Sequence, residues 1–132
     1  MYYTYMRLLL LFLLIPFTVH AGTLEEINSF RIKSKLAPIV HSQEVCKFTK
    51  IRINDIPKEW SHRLFFKRSK INGDWTENLG KDFNTDKEVV HAWMKSKTHR
   101  SVILDKKTTN GCVAKVKKGN VIYWVFNGWN KN

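Results

Sequence analysis

The chain has 132 residues, 23 Lys and Arg against 11 Asp and Glu, and a formal net charge of +12. Its length suits one ordinary domain, and an apolar content of 43% with plentiful aromatics argues against a disordered chain. Such a balance favours anionic neighbours, whether lipid headgroups, acidic envelope polymers or nucleic acid; the lysines form no arm or stripe and no nucleic-acid motif accompanies them, so nucleic acid is the least favoured of the three.

The N-terminus sets the compartment. Met1 to Arg7 carries one positive charge and no acid, Leu8 to Phe17 is almost wholly apolar, and Val19-His20-Ala21 reads as a cleavage site. These are the three parts of a secretory signal peptide. The apolar run is shorter than the roughly 20 residues that span a bilayer; the alternative is a retained anchor. Residues 1–21 are therefore expected to be a signal peptide and residues 22–132 a secreted or periplasmic domain. No later segment is apolar enough to span a membrane. Export makes Cys46 and Cys112 a candidate disulfide, the alternative being two buried thiols. Closing a loop of that length would add about 4 kcal/mol on the chain-entropy account.

Thr23-Leu24-Glu25-Glu26 has the form of a capping box, and Leu24, Ile27 and Phe30 follow at helical spacing. Pro38 stops this helix and draws Ala37 towards an extended conformation. A second helix starts at Ser42, buries Val45, Cys46, Phe48, Thr49 and Ile51, and ends near Asn54-Asp55. Residues 56–80 read as an irregular segment that packs its aromatics on the core, with a turn at Asn72-Gly73-Asp74. Thr85-Asp86-Lys87-Glu88 is a second capping box, with Val89, Val90, Trp93 and Met94 as the apolar face behind it. A short turn from His99 to Leu104 follows. The chain then closes as a hairpin, Gly111 to Lys117 and Val121 to Phe126 about a turn at Lys118-Gly119-Asn120. VIYWVF is apolar on both faces, so something must cover both sides of the sheet. Helices followed by a doubly covered sheet indicate a compact α+β layered domain.

Five histidines occur. His20 leaves with the signal, His41 sits at a helix entry, and His91 lies within a helix. His62 and His99 stand in segments that read as irregular and are flanked by polar or basic residues, where sites tend to be built. Glu77 reads as an exposed acid. Imidazole and carboxylate together can bind a metal, move a proton or grip a polar ligand. Ser96 has no acid and base partners at nucleophile spacing, which argues against a serine nucleophile. Arg100 either anchors an acidic ligand or caps the preceding helix, and Asn78 reads as a loop residue bonding backbone.

The order Ile27-Asn28-x-x-Arg31, Leu36-x-Pro38, His62 before Phe65-Phe66, Glu77-Asn78-Leu79, and Trp93-Met94-x-Ser96-x-x-His99-Arg100-x-x-Ile103-Leu104 resembles bacterial domains of the CAP/SCP superfamily. That superfamily comprises the cysteine-rich secretory proteins, antigen 5 and pathogenesis-related 1. The resemblance covers nearly all of residues 23–126, and its most specific part is W-M-x-S-x-x-H-R. It implies a three-layer α-β-α sandwich, a small antiparallel sheet covered by helices on both faces, with a His/Glu cleft able to take zinc or another divalent metal. By position His62, Glu77 and His99 would be the metal-binding or catalytic candidates, with Asn78, Ser96 and Arg100 as further ligand-binding residues. Thr76 and Thr98 stand where the family usually has glycine, and Ser96 falls on the family's second glutamate. The expected function is a non-catalytic binding module for a lipid, a cell-envelope polymer or a divalent ion. The alternative is a metal-dependent hydrolase or protease in the same cleft, which would lack a general base beyond its ligands.

Overall fold

A computed structural model describes residues 22–70 and 73–131. Residues 1–21, where the signal peptide is expected, lie outside them. Five helices and four strands follow in the order α1 (Thr23–Lys33), β1 (Val40–His41), α2 (Gln43–Asp55), α3 (Arg63–Arg68), β2 (Asp74–Lys81), α4 (Asp86–Lys95), α5 (Lys97–Ile103), β3 (Asn110–Lys118) and β4 (Val121–Asn130). The strands form one sheet in the order β1-β3-β4-β2. β3 and β4 are the expected hairpin, and Gly119 at its tip has φ +59°, a left-handed conformation that costs glycine nothing. β2 runs antiparallel along β4, pairing Glu77 with Asn127 and Leu79 with Val125. β1 is parallel to β3 and meets it only at Asn110 and Gly111, so among the described residues no strand flanks β3 on that side from Cys112 to Lys118.

The apolar residues on both faces of β4 explain the layers. Trp124 and Phe126 project from one face of β4 and pack with Ile27 of α1, Val89, Val90 and Trp93 of α4, and Ile103 of α5. Val125 projects from the other face and meets Leu79, Ile53 of α2 and Ile56. Beyond it Trp129 and Cys112 pack on Val45. Helices thus cover both faces of a four-stranded sheet, as a strand with no polar face requires. Gly80 allows the tightest approach between layers: a Cβ there would lie 2.6 Å from the Val89 side chain. Among the described residues no helix is long and apolar enough to cross a membrane.

Local details differ from the sequence reading in instructive ways. The first helix begins at Thr23 and takes Gly22 as its N-cap, with the Glu25 carboxylate accepting the Gly22 N–H at 3.0 Å. It ends at Lys33, before Pro38, because Lys35 turns left-handed at φ 59° and the Leu36 N–H folds back to the Arg31 carbonyl. Thr85 does cap α4, accepting the Glu88 N–H at 3.2 Å, and Ser42 caps α2 through the Val45 N–H. The segment 56–80 is more regular than expected: it holds α3 and all but the last residue of β2. Strand β2 was masked in sequence because its α2-facing residues are Trp75, Glu77 and Leu79, an alternation interrupted by a charge whose partner lies far away in the chain. The turn through His99 is a full helix, α5.

Arg31 is almost fully buried and holds the C-terminal side of α5 in place. Its Nε donates to the Ala37 carbonyl, and its terminal nitrogens donate to the carbonyls of Ile103, Asp105 and Thr108 at 2.8–3.3 Å. The Ile103 and Thr108 carbonyls would otherwise be buried acceptors short of a donor. Arg31→Met should therefore cost about 3 kcal/mol, the scale of losing several charge-assisted hydrogen bonds. Urea denaturation of the variant measures this, and an unchanged midpoint would refute the clamp.

Candidate functional site

β2 is an edge strand, so its free side is where the two helical layers meet without sheet between them. A cleft of about 500 Å³ lies there, lined among others by His62, Leu79, Gly80, Trp93, Ser96 and His99. That volume falls in the range of small-ligand sites. His62, the N-cap residue of α3, approaches from the α2 side; His99, inside α5, approaches from the other layer. Both expected imidazoles therefore reach one hollow.

Glu77 is not the exposed acid its neighbours suggest. Its side chain has no accessible surface. The guanidinium of Arg52, fully buried in α2, grips it in a fork: Nε donates to Oε2 and Nη2 to Oε1, both at 2.8 Å. Asn127 of β4 donates to Oε2 at 3.0 Å, and Nδ1 of His62 lies 3.0 Å from Oε1. Burial alone would raise the carboxyl's pKa, but the hydrogen bonds from Arg52, His62 and Asn127 together with the Arg52 charge hold it below the usual 4.5. An ionised carboxylate accepts only, so Nδ1 of His62 donates in this contact. The His62 side chain is 41% exposed and lines the cleft.

Arg52 and Asn127 were missed by the sequence reading. Arg52 sits on the buried stripe Val45–Phe48–Thr49–Arg52–Ile53, and a charge on an apolar helical face was its one available signal. Asp55 extends the network, bonding Arg52 at 2.9 Å and forking to Arg68.

The opposite wall is organised around Ser96, which ends α4 and opens α5. Its hydroxyl lies 2.7 Å from Nδ1 of His99. Burial first, and then repulsion whenever His62 is protonated, lowers the His99 pKa from 6.5, so the ring is neutral at pH 7. Asn78, pointing to the α5 face of β2, donates to the His99 carbonyl at 2.9 Å and ties helix to strand. Arg100 donates to the Met94 carbonyl at 3.3 Å, a helix-end contact rather than a wall of the cleft. Trp93 forms the floor, its indole N–H bonded to the Leu79 carbonyl at 2.8 Å.

A metal held by His62, Glu77 and His99 together does not fit this donor set. Glu77 has both oxygens engaged by Arg52, Asn127 and His62, and Arg52 neutralises it. The two imidazoles that line the cleft remain for a ligand, with Glu77 orienting one of them from behind.

Residues 24–127 match the family described as the cysteine-rich secretory protein family, CAP. The chain belongs to the CAP family. No curated protein sequence matches it significantly. Among solved structures it is similar to an outer surface protein of Borrelia burgdorferi, with 19% identity and a TM-score of 0.71 over 81% of this chain and 88% of that one. It is also similar to a cysteine-rich secretory protein of Staphylococcus aureus (20% identity, TM-score 0.69) covering 83% of this chain and 37% of that one. An extracellular SCP-domain protein of Bacillus anthracis gives 18% identity and a TM-score of 0.70, with 83% and 39% covered. This CAP domain thus spans well under half of those two longer chains. At such identities the likeness shows the fold, the α-β-α sandwich already traced strand by strand.

Within this CAP domain the Arg52–Glu77 pair has a pH signature. Glu77 has a depressed folded pKa, so its stabilisation is present above pH 4.5 and is lost as pH falls through the lower folded value. His99 acts in the same direction from 6.5 downward, because the fold disfavours its charged form. Glu77→Gln should lower stability at pH 7 by about 3 kcal/mol, leaving Arg52 short of its main counter-charge, and should flatten the acid limb of stability against pH. Guanidinium titrations between pH 7 and pH 3 provide the measurement; an acid limb as steep as the parent's would refute it.

Proposed function

We propose that this CAP domain is a secreted or periplasmic, non-catalytic binding module. Its His62/His99 cleft takes a divalent ion, or the polar head of a lipid or envelope-polymer ligand whose apolar part lies on Trp60, Leu79, Phe83 and Trp93. One observation carries the reading: Glu77, the cleft's carboxylate, is ionised, buried and fully hydrogen-bonded, so no free acid is left to take a proton from water. What faces the hollow is two imidazoles in a largely apolar cup, a set suited to holding rather than cleaving. The exposed ring of Phe66, 6.4 Å from His62, extends the apolar rim. Export is supported by the three-part N-terminal segment and by the similarity to an outer surface protein and an extracellular protein.

The runner-up is a metal-dependent hydrolase, favoured by the Glu77–His62 contact, since a carboxylate behind an imidazole is also how general bases are oriented. Two experiments separate the readings. Calorimetric titration of the disulfide-bonded protein with Zn²⁺ should show binding at pH 7.5 that is lost as pH falls far enough to protonate His99, whose pKa burial holds below 6.5. His62→Ala or His99→Ala should abolish it, and Glu77→Gln should weaken it about 10- to 100-fold by releasing the ring. Peptide and ester hydrolysis should stay at background with and without zinc. Turnover that disappears in His99→Ala would favour the hydrolase, and no binding of zinc, anionic vesicles or envelope polymer would overturn the module.

A further inference from the structure

Far from the cleft, at the other edge of the sheet, three side chains with soft or borderline metal donors converge. Cys46 of α2 and Cys112 of β3 form the disulfide, and Nε2 of His41 on β1 lies 3.2 Å from the Cys46 sulfur and 4.0 Å from that of Cys112. Their ligand atoms all fall within 4.8 Å of one another, the one such His/Cys/Asp/Glu group among the described residues. Oxidised, the sulfurs are occupied with each other and the group holds no ion. Reduced, it offers two thiolates and an imidazole.

We propose that reduction converts this disulfide into a zinc site formed by His41, Cys46 and Cys112, with water in the fourth position. A dithiol reductant supplies two electrons to the sulfur–sulfur bond and is itself oxidised to a disulfide, leaving two thiols on the protein. Zn²⁺ then binds both sulfurs as thiolates, their two protons pass to solvent, and the neutral imidazole adds its Nε2 lone pair. Two sulfurs and one nitrogen are the mixed set that tetrahedral zinc accepts, at about 2.3 Å and about 2.0 Å respectively. Once the sulfur–sulfur bond is broken, side-chain rotations that part the two sulfurs can bring all three donors onto one ion, since their ligand atoms already lie within 4.8 Å of one another. Access is open as well: His41 is exposed, Cys46 is half-buried, and His41 also lines a hollow of about 600 Å³ between α1 and β3. The three ligands come from β1, α2 and β3, so the metal would tie together the elements that the covalent bond tied before. The site is separate from the cleft and independent of what the cleft binds.

The test uses the full domain carrying His62→Ala and His99→Ala, which removes the cleft imidazoles. It is compared disulfide-bonded and after reduction by a phosphine that is then removed without air. Zinc competed against a chromophoric chelator should bind the reduced form at one ion per chain and the oxidised form not at all. Cobalt in place of zinc should show thiolate charge-transfer absorption. Adding His41→Ala should weaken binding at least about tenfold, and Cys112→Ser should abolish it. Should reduction loosen the fold, zinc must restore the near-ultraviolet circular dichroism in the presence of His41 and fail to do so without it. No zinc uptake on reduction, uptake unaffected by His41→Ala, or no restoration of a loosened fold would each overturn the proposal.

Discussion

The forked contact between Arg52 and Glu77 is the constraint on which the cleft side of the molecule depends. A guanidinium and a carboxylate without solvent exposure are tolerated only when nearly every donor and lone pair is used, and here they are: Asp55 and the Ser61 carbonyl complete Arg52, while Asn127 and His62 complete Glu77. The pair fastens α2 to the edge strand β2, and through Ser61 it fixes the chain that leads into α3. His62 inherits its position from both ends of that arrangement.

This changes how the cleft's chemistry is understood. A glutamate beside two histidines invites a three-ligand metal centre, yet the acid is committed inward and acts on the ligand only through His62. On the other wall Ser96 supplies to His99 what Glu77 supplies to His62, a partner for Nδ1, but a neutral one. The two imidazoles are therefore unequal: one is backed by a carboxylate paired with Arg52, the other by a hydroxyl and kept neutral by burial. An asymmetric pair of this kind would suit a ligand that has distinguishable ends.

Much of the architecture was legible in the residues because its signals are local. Ser42 and Thr85 cap their helices through amides three residues on, and the hairpin announces itself through its doubly apolar second strand and its Gly119 turn. What stayed hidden depends on contacts across long sequence distances. Glu77 looked like a surface acid because Arg52 lies 25 residues away, and nothing between them marks the pairing. The same concealment turned β2 into an apparent loop, since a strand reads as buried only when its inward residues are apolar. The sequence placed His62 and His99 near the cleft by resemblance; the carboxylate partner of one and the hydroxyl partner of the other needed coordinates.

The brevity of β1 has its own consequence. Past Gly111 the outer rim of β3 offers backbone groups to any extended chain that drifts alongside, which is how sheets of separate molecules fuse into aggregates. That stretch carries Lys115, Lys117 and Lys118, all exposed. Two molecules approaching rim to rim would bring those ammonium groups together, so repulsion guards a seam that hydrogen bonding leaves open. Part of the domain's large positive charge thus works against strand pairing between copies along this rim.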